Sequence, residues 1–279
     1  MMPTGLSNQC QQFINSFDTD SSLSDCTSAL INATQAFTPG GSAGSSPTNA
    51  QVSSAVENIC TGSVSTACPD NLIRGKLGDF YAACSAELTS NPNTQLRNIY
   101  DVLYALTPMK QAICSKDDSG NYCIVSSTSS GASGDLDQVQ QALSYVPTSG
   151  TVSRRDESAI AANLTTFQDN YLPFLFRNGN MDNSALCTTC TRNILTSYFN
   201  YESDVMYAPG LANSELLGKQ SALVGDIQNK CGANFLNGAV AAAGGIKSEF
   251  NGAANVNDRF AGIMAIAAGG LTLAIASLL

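Results

Sequence analysis

Residues 69–88, PDNLIRGKLGDFYAACSAEL, most clearly decide the fold. Five apolar residues recur in this stretch at steps of four, three, four and four: Ile73, Leu77, Phe80, Cys84 and Leu88. That spacing is the period of one buried helix face. Because proline is tolerated at the first position of a helix, we predict a helix that begins near Pro69 and buries one side.

Helical spacing also occurs on both sides of this stretch. It predicts further helices at residues 10–17, 24–37, 49–60, 96–106, 136–146, 160–171, 183–204 and 214–231. The helix at 96–106 is expected to end before Thr107 and Pro108, which would begin a short separate piece. Since no stretch shows the sustained alternation of a β-sheet, we predict an all-α fold of about eight or nine helices.

Ten cysteines are distributed along the chain: Cys10, Cys26, Cys60, Cys68, Cys84, Cys114, Cys123, Cys187, Cys190 and Cys231. An even number spread in this way predicts up to five disulfides made in an oxidising compartment. A zinc site is disfavoured, because the chain has no histidine and a single C-x-x-C pair. We therefore expect a helical bundle stapled by disulfides, without a metal or cofactor.

Local spacing suggests two disulfide pairings. Cys114 and Cys123 flank a turn sequence, so they would close it as a small loop. Cys187 and Cys190 share a helix face, and one of them is expected to bond Cys231. A redox role for the C-x-x-C pair is the alternative, but the βαβ context of thioredoxin-like folds is missing.

A Ser- and Gly-rich stretch at residues 126–135 divides the chain. We expect one cysteine-rich helical domain at 6–232, with halves at 6–125 and 136–232 joined by this loop. Residues 233–250 would then form a tether, and residues 251–279 a terminal signal with a hydrophobic tail.

Residues 251–279 are typical of a glycosylphosphatidylinositol (GPI) anchor signal. Small residues lead through a polar spacer into an uncharged tail, with Asn251 as the expected attachment residue and Gly252 as the alternative. A retained membrane span or a buried core helix are the other interpretations, since the tail is long enough to cross a bilayer. Because residues 1–13 show no signal peptide, we expect the leader to lie outside this sequence.

Two N-x-T sequons support export. We expect Asn32 and Asn163 to carry N-linked glycans. Acidic residues outnumber basic ones by 22 to 13, which gives a net charge of −9. So acidic a chain is a poor candidate for binding nucleic acid.

The residue types present give little support to catalysis. Without histidine, Ser-His-Asp and Cys-His arrangements cannot form. Carboxylate pairs are the remaining chemistry, as in glycoside hydrolysis: Asp79 with Glu87, Asp117 with Asp118, and Glu202 with Asp204. We expect these acids at solvent-facing helix positions or in turns, so a carboxylate-dependent hydrolase is the third hypothesis for the function.

A cluster of aromatic residues offers another interpretation, a pocket for a small apolar ligand between helices. Its members are Phe167, Tyr171, Phe174, Phe176, Tyr198 and Phe199. Such residues more often form core. An extracellular binding module for an apolar ligand is therefore the second hypothesis.

The placement of the cysteines resembles that of a known family. The matching elements are Cys10-Gln11-Gln12-Phe13, Cys68-Pro69-Asp70, Cys84, Leu186-Cys187-Thr188-Thr189-Cys190, Cys231 and the tail. They are similar to a family of secreted fungal cell-surface proteins built on a helical, cysteine-rich domain of unknown function. The resemblance covers about residues 6–232 and implies a surface location with no assigned activity. The haem-binding eight-cysteine fungal surface domain is a poorer match, because its C-x-C element is absent.

The leading hypothesis is therefore a non-enzymatic, GPI-anchored glycoprotein on the outer face of the plasma membrane or in the cell wall. Its role would be structural or one of contact. The expected partners are the membrane, through the lipid anchor, and wall polysaccharides or other surface proteins.

Overall fold

The computed structural model describes residues 3–37, 48–126, 144–145 and 161–236. The proposed attachment residues Asn251 and Gly252, the anchor signal at 251–279, most of the tether and the loop at 127–135 lie outside these described residues.

Helices make up most of the described chain. The first half contains α1 (Asn8–Phe17), α2 (Ser21–Thr34), α3 (Asn49–Cys60), α4 (Ser63–Ala67), α5 (Asp70–Leu88), α6 (Thr94–Cys114) and α7 (Cys123–Ser126). The second half contains α8 (Leu164–Asp169), α9 (Asn183–Leu186), α10 (Thr189–Asp204) and α11 (Gln220–Cys231). Short 3-10 helices lie at Gln35–Phe37, Leu172–Phe174 and Leu211–Asn213. The predicted all-α fold is confirmed.

Extended structure in the described residues is slight. Ser144–Tyr145 pairs with Ala161–Ala162 in an antiparallel arrangement, and an isolated bridge joins Lys116 to Tyr122. The first pairing falls within the helices predicted at 136–146 and 160–171, so those predictions were wrong at these positions. In the second of them, the α-helix covers only Leu164–Asp169.

Helix α5 has the predicted buried face. Ile73, Leu77, Phe80, Cys84 and Leu88 are each at most 2% exposed. Pro69 takes the N-cap position and Asp70 lies in the first turn, where the helix dipole favours an acid. Cys84 leaves helical geometry, with φ −125° and ψ 25°, so the helix kinks at the residue bonded to Cys10.

Helix α6 lies at the centre of the fold and packs against α3, α5 and α10. It continues through Thr107 and Pro108, where we predicted its end. A proline inside a helix removes one backbone hydrogen bond and costs about 3 kcal/mol. The buried residues on either side of it, Leu106 and Met109 among them, offset this cost.

Five disulfides staple the helices: Cys10–Cys84, Cys26–Cys68, Cys60–Cys114, Cys123–Cys190 and Cys187–Cys231. The last is the pairing expected for the C-x-x-C sequence. The predicted bond between Cys114 and Cys123 was wrong. Cys114 bonds Cys60 of α3, and Cys123 bonds Cys190 of α10. Backbone hydrogen bonds close the intervening turn instead: Asn121 accepts from the Asp117 amide, and Ser115 from the Cys123 amide, both at 2.8 Å.

The two predicted halves share one hydrophobic core. Cys123–Cys190 crosses between them, and α6 of the first half packs along α10 of the second. A chain of ring contacts also crosses the boundary, from Phe13 on α1 through Phe80 and Tyr100 to Tyr207, with centroids 5.2 to 5.6 Å apart. The described residues of both halves therefore pack as a unit.

Side-chain caps shorten two predicted helices. The helix predicted at 183–204 is interrupted at Cys187, because the Thr188 hydroxyl accepts the Thr191 amide at 3.3 Å and begins α10 there. The helix predicted at 214–231 begins only at Gln220. Before it, the Ser214 hydroxyl accepts the amides of Leu216 and Leu217 and holds a turn. Gly232, with φ +91°, follows α11 as the predicted stop.

The turn between α8 and α9 has an unusual backbone. Tyr171, Leu175 and Phe176 have φ values of 54°, 49° and 64°, in the left-handed region that bulky residues rarely adopt. Such conformations cost on the order of 1 to 3 kcal/mol each. The turn buries Leu172 and Phe174 almost completely, and this burial holds the strained backbone in place.

Candidate functional site

Asp101 on α6 is an acid buried in the core. Its side chain is 1% exposed and lies within an otherwise apolar part of the helix. One carboxylate oxygen accepts a hydrogen bond from the Ser214 hydroxyl at 2.5 Å, and the other accepts from the Leu216 amide at 3.0 Å. Burial raises the pKa of Asp101 to about 7, and these hydrogen bonds oppose the rise. Asp101 thereby ties α6 to the segment that precedes α11.

Glu202 is the second unusual acid, and it lies near the end of α10. Its Oε2 accepts a hydrogen bond from Gln220 Nε2 at 2.8 Å, which ties α10 to the start of α11. Burial raises the pKa of Glu202 to about 7, although the hydrogen bond from Gln220 lowers it. Glu202 Oε1 and Gln220 Oε1 are both buried, and neither has a hydrogen-bond partner among the described residues.

Four tyrosines pack beside these acids: Tyr100, Tyr104, Tyr201 and Tyr207. The Tyr104 ring contacts those of Tyr207 and Tyr201, with centroids 5.0 and 5.1 Å apart. The Tyr104 hydroxyl donates to the Val205 carbonyl. Burial raises the pKa of all four phenols, to about 12 for Tyr100 and Tyr201. The phenols therefore stay neutral at physiological pH and serve as packing surfaces.

Three open grooves formed by the described residues lie elsewhere. One of about 400 Å³ lies between α1 and α5, beside Phe13 and Asp79. Another of about 340 Å³ lies beside Cys60, Cys114 and Lys110, and a third of about 240 Å³ beside Asp117. Asp101 and Glu202 line none of these grooves. Asp101 is buried, whereas Glu202 is half-buried.

Of the acid pairs predicted from sequence, Asp117 and Asp118 line the same groove of about 240 Å³, whereas Asp79 and Glu87 differ in exposure. Glu87 was expected to face solvent but is buried, because Oε1 accepts the Ser7 amide at 2.6 Å and fastens the start of α1 to α5. Burial alone would raise the pKa of Glu87, but the hydrogen bonds from Ser7 hold it below its ordinary value. Its proposed partner Asp79 is exposed, as predicted.

The other two pairs also have structural contacts. Asp117 accepts the amides of Ser119 and Asn121 within its turn, both at 2.9 Å. Asp118 accepts the Thr189 hydroxyl at 2.6 Å. Asp204 is exposed and pairs with Arg74 at 3.4 Å, whereas Glu202 is half-buried, so its expected solvent-facing position was wrong.

The C-x-x-C cysteines are both used in structural bonds. Cys187 bonds Cys231 of α11, and Cys190 bonds Cys123 of α7. Because each belongs to a different disulfide, the two do not form a redox pair in this structure.

The two sequons lie in different surroundings. Asn32 is exposed on α2. Asn163 is the N-cap of α8, and its Oδ1 accepts the Thr166 amide at 3.3 Å. Glycan attachment uses the side-chain nitrogen, so the capping bond and a glycan are chemically compatible.

The aromatic cluster predicted as an alternative ligand pocket is core. Phe167, Phe174, Phe176 and Tyr198 are buried, and the Tyr198 hydroxyl donates to the Pro173 carbonyl. The cavity beside this cluster has a volume of about 10 Å³. That is room for one water at most.

Sequence reasoning did not identify Asp101 or Ser214. The available signal was a lone acid in the run Tyr100-Asp101-Val102-Leu103, since an aspartate in an apolar helix must find partners if it is buried. The partners could not be named from the sequence, because Ser214 lies more than a hundred residues away.

Residues 2–154 match a family described as a domain of unknown function, DUF7729. The chain belongs to the DUF7729 family. The matched residues include α1 to α7, and therefore Asp101, whereas Glu202, Ser214 and Gln220 lie beyond the DUF7729 match. No curated protein and no solved structure was found to match the chain.

Proteins that cross a membrane as helices need a long apolar segment. In the part of the chain that the structure describes, none of the helices is both long and apolar enough to cross a bilayer.

Proposed function

We propose that the protein is a non-enzymatic fungal surface protein, secreted, GPI-anchored and glycosylated, with a structural or contact role in the cell wall. The observation that carries this proposal is the use of all ten cysteines in five disulfides between separate segments. Disulfides on this scale form in oxidising compartments and are rare in the cytosol. The cysteine pattern and the tail supply the fungal and GPI parts of the proposal.

The arrangement of polar groups supports a structural role. The two carboxyl groups whose pKa is raised to about 7 bind backbone and side-chain donors of neighbouring segments and line none of the grooves described above. In the part of the chain that the structure describes, each of four lysine or arginine side chains forms a salt bridge with an aspartate: Arg74, Lys76, Lys110 and Lys219. The proposed contact partners are wall polysaccharides or other surface proteins.

Lipid anchoring is tested by treating intact cells that express the full-length protein with a phosphatidylinositol-specific phospholipase. The proposal expects the protein to appear in the supernatant. A control in which both Asn251 and Gly252 are replaced by glutamine should lose the anchor, because attachment needs small residues. Protein that stays with the cells after treatment would contradict the anchor, and cytosolic protein with free thiols would contradict the whole proposal.

Glycosylation is tested separately from folding. We expect Asn32→Gln and Asn163→Asp each to remove one glycan, seen as a mobility shift that matches enzymatic deglycosylation. Aspartate is chosen at position 163 because its carboxylate can still accept the Thr166 amide and cap α8. Unchanged mobility in both variants would contradict the proposed glycoprotein.

The non-enzymatic part is tested with purified protein on wall polysaccharides. We expect no hydrolysis products. Hydrolysis that disappears in Asp79→Asn or Glu202→Gln would overturn this part and favour the hydrolase hypothesis.

A further inference from the structure

The contact between Glu202 and Gln220 is incomplete as a carboxylate–amide pair. Gln220 Nε2 donates to Glu202 Oε2 at 2.8 Å, which leaves the other oxygen of each side chain. Both of these Oε1 atoms are buried, and among the described residues neither has a hydrogen-bond partner. A carboxylate oxygen and an amide oxygen are both acceptors. When Glu202 is ionised, its Oε1 and the Oε1 of Gln220 therefore cannot form a hydrogen bond with each other.

A proton resolves this mismatch. A protonated carboxyl group has one O–H donor, and Glu202 Oε1 could then donate to Gln220 Oε1 while Oε2 keeps its bond from Nε2. One proton taken from solvent would satisfy both buried oxygens. Gln220 is 5% exposed, so an unmade hydrogen bond here has a substantial cost.

We propose that Glu202 and Gln220 form a proton-binding acid–amide pair, which holds the start of α11 to α10 by two hydrogen bonds when Glu202 is protonated and by one when Glu202 ionises.

Burial favours the neutral form of Glu202, and the hydrogen bond from Gln220 opposes it. The phenol of Tyr104 faces Glu202 from α6, and that of Tyr198 lies on the same helix as the acid. Arg74 of α5 binds Asp204 and lies over the Tyr201 ring, and Lys219 next to Gln220 pairs with Asp169. Burial raises the pKa of Glu202 to about 7, which places the change of state near neutral pH.

Loss of the hydrogen bond between the two Oε1 atoms would loosen α11 only at its start, because the two ends of the helix are held differently. Its far end is bonded through Cys231 to Cys187, and Leu223 and Ile227 are fully buried. Its first turn depends on Gln220, whose amide donates to the Leu217 carbonyl at 2.8 Å. Loss of that bond would therefore loosen the turn at Leu217–Gln220 while the rest of α11 stays docked.

Hydrogen exchange of the Gln220 and Leu223 amides in the full chain tests the proposal. After correction for the intrinsic effect of pH, we expect exchange to be about tenfold or more faster at about pH 8 than at about pH 5, since each unit of pKa shift is a tenfold change in the equilibrium. Glu202→Gln mimics the protonated acid, because its amide can both donate and accept. This variant should show slow exchange at both pH values.

Matched variants separate this pair from its neighbours. Asp204→Asn changes the adjacent exposed acid and should keep the full pH dependence. The double swap Glu202→Gln with Gln220→Glu should restore a pH dependence that Glu202→Gln alone removes. The same pH dependence in wild type and Glu202→Gln would overturn the proposal, as would its loss in Asp204→Asn.

A readout on the wild-type protein does not depend on any variant folding. The side-chain carboxyl carbon of Glu202, followed by NMR through a pH titration, should shift with a midpoint near 7. A midpoint at the ordinary glutamate value of about 4.3 would overturn the proposal.

Discussion

The first half of the described chain, residues 3–37 and 48–126, and the second, residues 161–236, are held together by different interactions. The first consists of helices of up to 21 residues joined by three internal disulfides. The second has shorter helices, a strained turn at 171–176, one internal disulfide, and polar contacts that tie its irregular segment to α6 and α10. Cross-links and apolar faces therefore organise the first half, whereas buried hydrogen bonds position the second.

Two disulfides that close loops of similar length test this comparison most strongly. Cys26–Cys68 and Cys187–Cys231 span 42 and 44 residues, so loop entropy predicts nearly the same contribution from each, about 4 kcal/mol. Cys26 and Cys68 are each 1% exposed, whereas Cys187 and Cys231 are half-buried. Replacing the first pair by alanine should therefore lower the free energy of unfolding more than replacing the second, as measured by denaturant unfolding.

Equal losses of unfolding free energy in the two variants would show that burial of the sulfurs adds nothing to the stabilisation from loop entropy. A larger loss for Cys187–Cys231 would contradict the comparison.

Among the substitutions, removal of the Asp101 carboxylate should have the next largest effect. Asp101→Ala leaves the Ser214 hydroxyl and the Leu216 amide without their acceptor, and we expect a loss of about 2 to 3 kcal/mol of unfolding free energy. Exposed Asp79→Ala is the matched control and should change stability by less than about 0.5 kcal/mol. Equal effects of the two substitutions would contradict the assigned role of Asp101.

The pH dependence of stability should be opposite to the common acid-unfolding pattern over part of the range. The folded-state pKa of Asp101 and of Glu202 is about 7, above the ordinary values of 3.8 and 4.5. The contribution of these two acids to the free energy of unfolding is therefore fully present below about pH 4 and is lost as the pH rises through about 7. We expect the free energy of unfolding to fall by up to about 5 kcal/mol between about pH 5 and pH 8.

Below about pH 4 we expect the common pattern, in which the free energy of unfolding falls as the pH falls. Hydrogen bonds from Lys76, Ser22 and Leu23 hold the pKa of Asp20 well below its usual value, so its contribution is lost as the pH falls below about 4. Denaturant unfolding across the pH range checks both parts of this prediction. A flat profile between pH 5 and pH 8, or no reduction of the slope in Asp101→Asn, would contradict the prediction.

The sequence predicted the first half better than the second for a physical reason. A helix that buries one face repeats its apolar residues every three or four positions, and this local signal placed Asn49–Cys60 and the buried side of α5 correctly. The signal misplaced the end of α6 at Pro108, because burial of the whole helix outweighed the proline.

The candidate site was less predictable than the helices. Burial of Asp101 depends on Ser214 and Leu216, and the pKa of Glu202 depends on packing against other helices. Periodicity carries no information about such distant partners. The cysteine count predicted the five bonds, but the partner of Cys114 is set by the approach of α3 to α6 rather than by the nearby Cys123.

The smallest expected effect concerns the order in which the disulfides are reduced. Cys60–Cys114 is half-buried and lines a groove of about 340 Å³, whereas Cys10–Cys84 and Cys26–Cys68 are buried. Because exchange needs access of a thiolate to sulfur, mild reductant should open Cys60–Cys114 before the two buried bonds, as followed by alkylation and mass spectrometry. Earlier reduction of either buried bond would contradict the structure of the first half.

Five specific disulfides organise both halves of the described chain. Mass spectrometry of peptides from non-reduced protein, isolated from the cells that make it with free thiols blocked at lysis, tests this claim most directly. We predict five cross-linked peptides that join Cys10 to Cys84, Cys26 to Cys68, Cys60 to Cys114, Cys123 to Cys190 and Cys187 to Cys231. Blocked free cysteines, or a different set of pairs, would contradict it.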